Sequence, residues 1–190
     1  CWVRIIAHGR PAHGSIPMLG QNAILKLADF LPKLKAIEKS AVEVPTDAKT
    51  LVRNGKALLS RTARKRGISV RSLTSTLDHY TANVGTISGG TKVNIVPEKC
   101  QVDIDVRVPL GGRPEGVEEL VRTMLPEKFE CQIVNRIDPS YTPASDSLVK
   151  ILQRHGRRVL GHKPPAICMT ATSDAHRFRI ALGIPTVTFG

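Results

Sequence analysis

His13 lies in the stretch Gly9-Arg10-Pro11-Ala12-His13-Gly14-Ser15-Ile16-Pro17, held between two glycines and two prolines. Glycine admits positive φ and proline locks φ, so this composition fixes a backbone around a single imidazole. An imidazole held that way is placed for chemistry; its plainer use is as a polar turn residue. Later stretches carry residues of similar promise. Gly89-Gly90-Thr91-Lys92-Val93-Asn94-Ile95-Val96-Pro97 leads into Asp103-Ile104-Asp105-Val106-Arg107. Local uses exist for both polar residues here: an Asx-type turn for Asn94, and a salt bridge to Asp105 or Asp103 for Arg107. Ala171-Thr172-Ser173-Asp174-Ala175-His176-Arg177-Phe178 leads into Gly183-Ile184-Pro185-Thr186-Val187, and sets Asp174 and His176 at a spacing that could chelate metal from a loop. A catalytic zinc wants three protein ligands and an open position for water. The six histidines are His8, His13, His79, His155, His162 and His176, and none begins a His-x-Asp pair. Glu118-Glu119 falls on the solvent side of an amphipathic helix, flanked by apolar Val117 and Leu120, and reads as a surface pair.

In this order and spacing the three stretches resemble the zinc-dependent amidohydrolase and exopeptidase family of succinyl-diaminopimelate desuccinylase, acetylornithine deacetylase, aminoacylase and the glutamate-releasing carboxypeptidases. The resemblance covers nearly the whole chain apart from the segment Ala41 to Tyr80. It implies a metal-dependent deacylase or carboxypeptidase that cleaves the amide bond of N-acyl amino acids or small peptides. It further implies a pair of zinc ions in the full-length enzyme, with their ligands before Cys1 and after Gly190 and none in this chain, and a homodimer formed through a lid domain. His13 then matches the lid histidine that reaches into the partner subunit's active site and donates to the oxyanion, where a fixed donor is worth roughly 10²–10³ in turnover. His8 is the competing candidate and reads as structural. Arg107 aligns with the arginine that binds the substrate's free carboxylate, a task suited to a planar guanidinium fork. Asn94 aligns with the lid asparagine that hydrogen-bonds substrate beside it, and Thr172 and Ser173 line the opposite wall of the cleft. Ala171 stands where many relatives have glycine, which narrows the cleft near the substrate.

The elements that must position these residues follow from periodicity. Trp2 to Ala7 reads as a strand from its β-branched content. Ala23, Ile24, Leu27, Ala28, Leu31, Leu34 and Ile37 recur at helical spacing, bent or restarted at Pro32. Thr81 to Ser88 is a second strand, ended by Gly89-Gly90. In Gln101 to Val108, Val102, Ile104, Val106 and Val108 point one way while Gln101, Asp103, Asp105 and Arg107 point the other. Val117, Leu120, Val121, Met124 and Leu125 form a second helix, and Glu130 to Ile137 a last strand. The order βαββαβ predicts a ferredoxin-like α+β lid over residues 1–138. A helical, basic insertion at about 41–80 interrupts it, with Asp47 as a candidate N-cap ahead of Leu51, Val52, Leu58 and Leu59. From 139 to 190 the pattern becomes α/β. A helix ends near Gly161, and the apolar runs Pro165 to Met169 and Ile184 to Phe189 read as buried strands around a helical Asp174 to Leu182. Too few strands are present to close such a sheet, so this part is expected to be a truncated piece of a catalytic domain.

A length of 190 residues suits one small domain with part of another. The chain opens inside a strand-like run and closes just after an apolar one, as an internal piece of a longer enzyme is expected to do. No stretch approaches the roughly 20 apolar residues of a membrane span, and no signal peptide is visible. Cys1, Cys100, Cys131 and Cys168 lie far apart with no C-x-x-C pair, which points to reduced thiols in a cytoplasmic protein. The net charge of +12 concentrates in Arg61 to Arg71 and Arg154 to Arg158. Such a balance fits nucleic acid or an anionic substrate, though a charge run is more often a solvated helix face. A basic ferredoxin-like nucleic-acid module is therefore the alternative reading. It needs base-stacking aromatics on the sheet, where this sequence offers Asp103 and Asp105. A purely structural dimerisation domain is a third reading, one that leaves His13, Asn94 and Arg107 unexplained together.

Overall fold

The computed structural model describes residues 1–189. In chain order its elements are β1 (Trp2–His8), α1 (Ala23–Phe30), α2 (Lys49–Arg66), α3 (Val70–Thr74), β2 (Thr81–Gly89), β3 (Lys99–Arg107), α4 (Pro114–Met124), β4 (Phe129–Asn135), α5 (Ser147–Leu160) and α6 (Ala175–Leu182). They divide into two compact units. The first holds Cys1–Ser40, Tyr80–Val108 and Arg113–Ile137; the second holds Ala41–His79, Pro109–Gly112 and the chain from Asp138 onward.

The first unit is built on the alternation in β3. Cys100, Val102, Ile104 and Val106 are fully buried, each such aliphatic side chain contributing about 1.5–3 kcal/mol. β3 pairs antiparallel with both β1 and β2, and β1 pairs antiparallel with β4, giving the sheet order β2-β3-β1-β4. This is the ferredoxin-like arrangement, with two helical segments covering one face. Asn22 caps α1, its side-chain oxygen accepting from the N–H of Ile24 at 2.9 Å and of Leu25 at 3.2 Å. The expected break occurs at Pro32: α1 ends at Phe30, and a 3₁₀ segment runs from Leu31 to Lys39. Leu27, Phe30, Leu34 and Ile37 close over Val3, Ile5 and Ala7 of β1, while Val117 and Val121 of α4 complete the core. Phe30 also meets Phe129 of β4 with ring centroids 5.4 Å apart.

Edge strand β2 is different. A bulge between Val84 and Thr86 shifts the register, so that Val84 opposes Ile104 and Ile87 opposes Val102. Both apolar side chains thereby share the core-facing side of the sheet although three residues separate them. At the edge they remain 41% and 51% exposed.

The second unit takes the segment that its sequence position suggested was an insertion in the first. The apolar side of α2, with Leu51, Val52 and Gly55 buried, needs a cover, and the stretch from Ala166 to Cys168 supplies part of one. Asn54 donates to the Ala166 carbonyl at 2.9 Å, and the Cys168 N–H donates to the Leu51 carbonyl at 3.3 Å. Asp47 does not cap α2. Ala48 takes that position without a side-chain bond, and the Asp47 carboxylate instead accepts the Tyr141 hydroxyl at 2.5 Å. α5 is stopped by Gly161 in the left-handed region, φ 75°, as its sequence predicts, and is capped by Asp146, which the sequence reading did not single out. Pro165 to Met169 and Ile184 to Phe189 are not strands: among the described residues neither run has a ladder partner. An apolar run records burial, and only a neighbouring strand turns it into sheet. No helix of the described residues is long and apolar enough to cross a membrane.

Candidate functional site

The His13 loop leaves β1 at His8 and folds back along the residues that precede β3. The Val96 N–H donates to the Ala12 carbonyl at 2.9 Å, and the Gly14 N–H to the Asn94 carbonyl at 2.8 Å. His13 is therefore bridged to Ile95 in a short antiparallel ladder. Its own carbonyl accepts from the Ile16 N–H at 3.0 Å. The two glycines serve close approach here rather than positive φ. A Cβ on Gly9 would lie 2.0 Å from the Gln21 carbonyl oxygen, and one on Gly14 would lie 3.1 Å from the Asn94 backbone. Among the described residues the imidazole itself is engaged at one nitrogen only. His13 Nδ1 sits 2.7 Å from Ser15 Oγ and accepts from the Ser15 N–H at 3.2 Å. Beside this ladder, Gly14, Asn22, Gly90, Lys92 and Val93 help to line a cleft of about 570 Å³. Asn94 is exposed next to it. His13 and Asn94 are thus brought together by backbone pairing.

Arg107 is not brought to them. It ends β3, whereas the ladder lies just before that strand begins, so the two ends are roughly 26 Å apart at about 3.3 Å per residue. The family resemblance sets Asn94 beside Arg107; within one chain the strand between them keeps them separate. The guanidinium is half exposed, with one Nη2 bonded to Asp105 Oδ2 at 2.6 Å. Its other donors remain available. The same open sheet face carries Arg4 in a two-pronged bond to Asp103, at 2.7 and 2.9 Å. The Arg4 side chain holds the Asp103 carboxyl below the usual carboxylate range. His8 is tied to Glu130 at 2.8 Å, at the end of β1.

In the second unit, Thr172 and Ser173 are exposed on the loop before α6. Asp174 occupies the N-cap position of α6 without a side-chain cap bond, and His176 Nδ1 meets Ser140 Oγ at 3.1 Å. Arg179 Nε donates to that same hydroxyl oxygen at 3.1 Å. The Ser140 contact engages the His176 ring nitrogen in a bond between the 140s segment and α6. Glu118 is likewise occupied, accepting from Arg122 at 2.8 Å and Arg136 at 2.9 Å on the surface of α4. Among the described residues no three His, Cys, Asp or Glu side chains gather into a group that could hold a metal. These donors do not fit a zinc site.

Ser15 escaped attention in the sequence although it lies two residues after His13. That spacing lets a serine hydroxyl and its own amide turn back on the preceding side chain, a local pattern common for short polar residues.

Comparison with known proteins extends these observations. The family profile described as the peptidase dimerisation domain matches residues 1–155. A probable carboxypeptidase of Paracoccidioides brasiliensis (strain Pb03) is 32% identical over 120 residues, which is 63% of this chain and 22% of that protein. A probable carboxypeptidase of Aspergillus flavus is 26% identical over 118 residues, covering 62% and 22%. Among solved structures, an M20 family metallo-carboxypeptidase from Sulfolobus solfataricus superposes with a TM-score of 0.67 at 18% identity, over 96% of this chain and 48% of that one. The di-peptidase Dug1p from Saccharomyces cerevisiae gives a TM-score of 0.70 at 12% identity, over 97% and 45%. At these identities the structural likeness concerns the fold. The chain spans 22% of the length of the curated relative and 48% of the metallo-carboxypeptidase.

Proposed function

The chain belongs to the peptidase dimerisation domain family, and on that premise we propose that it is the dimerising lid, with an adjoining part of the catalytic domain, of a zinc-dependent hydrolase. Its substrates on this reading are N-acyl amino acids or small peptides, cleaved at the amide bond. The lid acts by positioning. As the amide carbon becomes tetrahedral, negative charge develops on the carbonyl oxygen, and an N–H already aimed at that oxygen stabilises the transition state more than the ground state. His13 is such a donor. Arg107 grips the free carboxylate of the substrate, Asn94 hydrogen-bonds its body, and Thr172 and Ser173 are the substrate-binding residues of the second unit. The metal that this reading requires is held by other parts of the longer protein. Its cysteines are free thiols, which suits the cytoplasm as the proposed location.

The observation that carries the proposal is the separation of His13 from Arg107 along β3. An extended dipeptide spans at most about 7 Å, so no small substrate touches both residues of one chain. Two copies joined antiparallel through their β2 edges reverse the strand direction between them. The beginning of one β3 then lies level with the end of the other, and one chain's Arg107 shares a site with its partner's His13. Mixing tests this in the full-length enzyme. His13→Ala and Arg107→Ala homodimers are each expected to be impaired. Exchanged mixed dimers regain one competent site, with Arg107 from one chain and His13 from the other. No recovery despite demonstrated exchange overturns the shared site.

A further inference from the structure

We propose that Ser15 is the positioning residue that fixes the tautomer of His13 and so leaves the Nε2 proton free to be donated. The inference rests on the reading of His13 as an oxyanion donor, but its geometry stands apart from that reading. A backbone amide can only donate, so the Ser15 N–H, 3.2 Å from Nδ1, requires a lone pair on that nitrogen. In a neutral imidazole the proton is then on Nε2. The Ser15 hydroxyl, 2.7 Å away, donates to Nδ1 in this tautomer and would accept from Nδ1–H in the other, so it is the amide that sets the preference. The opposite tautomer would point an Nδ1–H at the Ser15 N–H and leave that amide facing a like dipole.

The backbone leaves little room for escape. Ala12 and Gly14, on either side of His13, are both bonded to the 94–96 strand, and the His13 carbonyl is taken by Ile16. The ring is therefore supported from its own loop, and Nε2 is the nitrogen that remains for a substrate. A histidine free to carry its proton on either nitrogen would spend part of its time presenting a lone pair to a developing anion, which is repulsive. Ser15 removes that state. It touches no substrate and acts through His13.

Long-range ¹⁵N–¹H correlation on the ¹⁵N-labelled 190-residue chain reads which ring nitrogen is protonated. It is recorded at about pH 8.5, where ordinary imidazoles are neutral. The His13 signal is assigned by its loss in His13→Gln. Expected is a single Nε2–H form in the wild type. In Ser15→Pro the backbone donor is gone, and the Nε2–H to Nδ1–H ratio should fall about five-fold, the worth of one ordinary hydrogen bond. Ser15→Ala keeps the amide and should leave the ratio in place. A mixed or Nδ1–H wild type, or a Ser15→Pro spectrum with the ratio unmoved, overturns the proposal. In the full-length enzyme Ser15→Pro should lower kcat with KM unchanged, and should cost nothing further in a His13→Ala background. A locked tautomer in a protein whose His13→Ala variant keeps full activity supports the role of Ser15 and sinks the oxyanion reading instead.

Discussion

Replacing His13 by Ala in the full-length enzyme removes a donor needed only while the oxyanion exists. Turnover should fall roughly 10²–10³-fold with little change in KM, measured by steady-state kinetics on an N-acyl amino acid. Arg107→Lys keeps the charge but loses the two-pronged fork, so it should chiefly raise KM for substrates with a free carboxylate. Equal effects on kcat and KM in both variants would show that the two residues do not divide the work as proposed. At this scale much was legible in the sequence, because glycines and prolines around one histidine announce a held loop. What the glycines do was not legible. Neither Gly9 nor Gly14 has positive φ; each is small because another backbone passes against it. At Gly9 the nearest backbone is that of Gln21 in the returning loop, whereas at Gly14 it is that of the distant Asn94, and no local pattern records it. The association of Asn94 with His13 was hidden for the same reason.

Individual elements divide along the same line. Most strands and helices of the first unit were readable because their apolar residues keep a period against one core, which the bulge in β2 alone interrupts, and the bend at Pro32 follows from a missing N–H. The second unit was read less well where its apolar runs pack on a helix in place of a strand, and where Asp47 bonds to Tyr141 instead of capping α2. That bond has a measurable signature. Burial first, and then the hydrogen bond and charge of Asp47, push the Tyr141 hydroxyl from 10.0 up to about 12. The proton is therefore held more tightly in the folded state than in the unfolded one. The corresponding stability is fully present below pH 10.0, and it is lost as pH rises through about 12. Thermal unfolding of the wild type against Tyr141→Phe should show a difference that shrinks across this window. A constant difference would mean that the pair does not govern the alkaline limb.

For the whole molecule, the exposed apolar edge at Val84 and Ile87 is the feature that a monomer would have reason to avoid. The chain should sediment as a dimer at micromolar concentration. The double substitution Val84→Lys with Ile87→Lys should shift it to monomer while leaving its circular dichroism unchanged, since neither side chain is buried. A wild type that remains monomeric would count against the paired β2 edges. The length of β3 has one more consequence, for supply and demand. On the proposed reading a substrate bound at one chain's Arg107 and the other chain's His13 is a temporary cross-link, and a ligand that binds only the assembled form must draw the assembly together. Feeding the enzyme then holds its two halves in place, while dilution and starvation act in the same direction, loosening a catalyst that has nothing to cut.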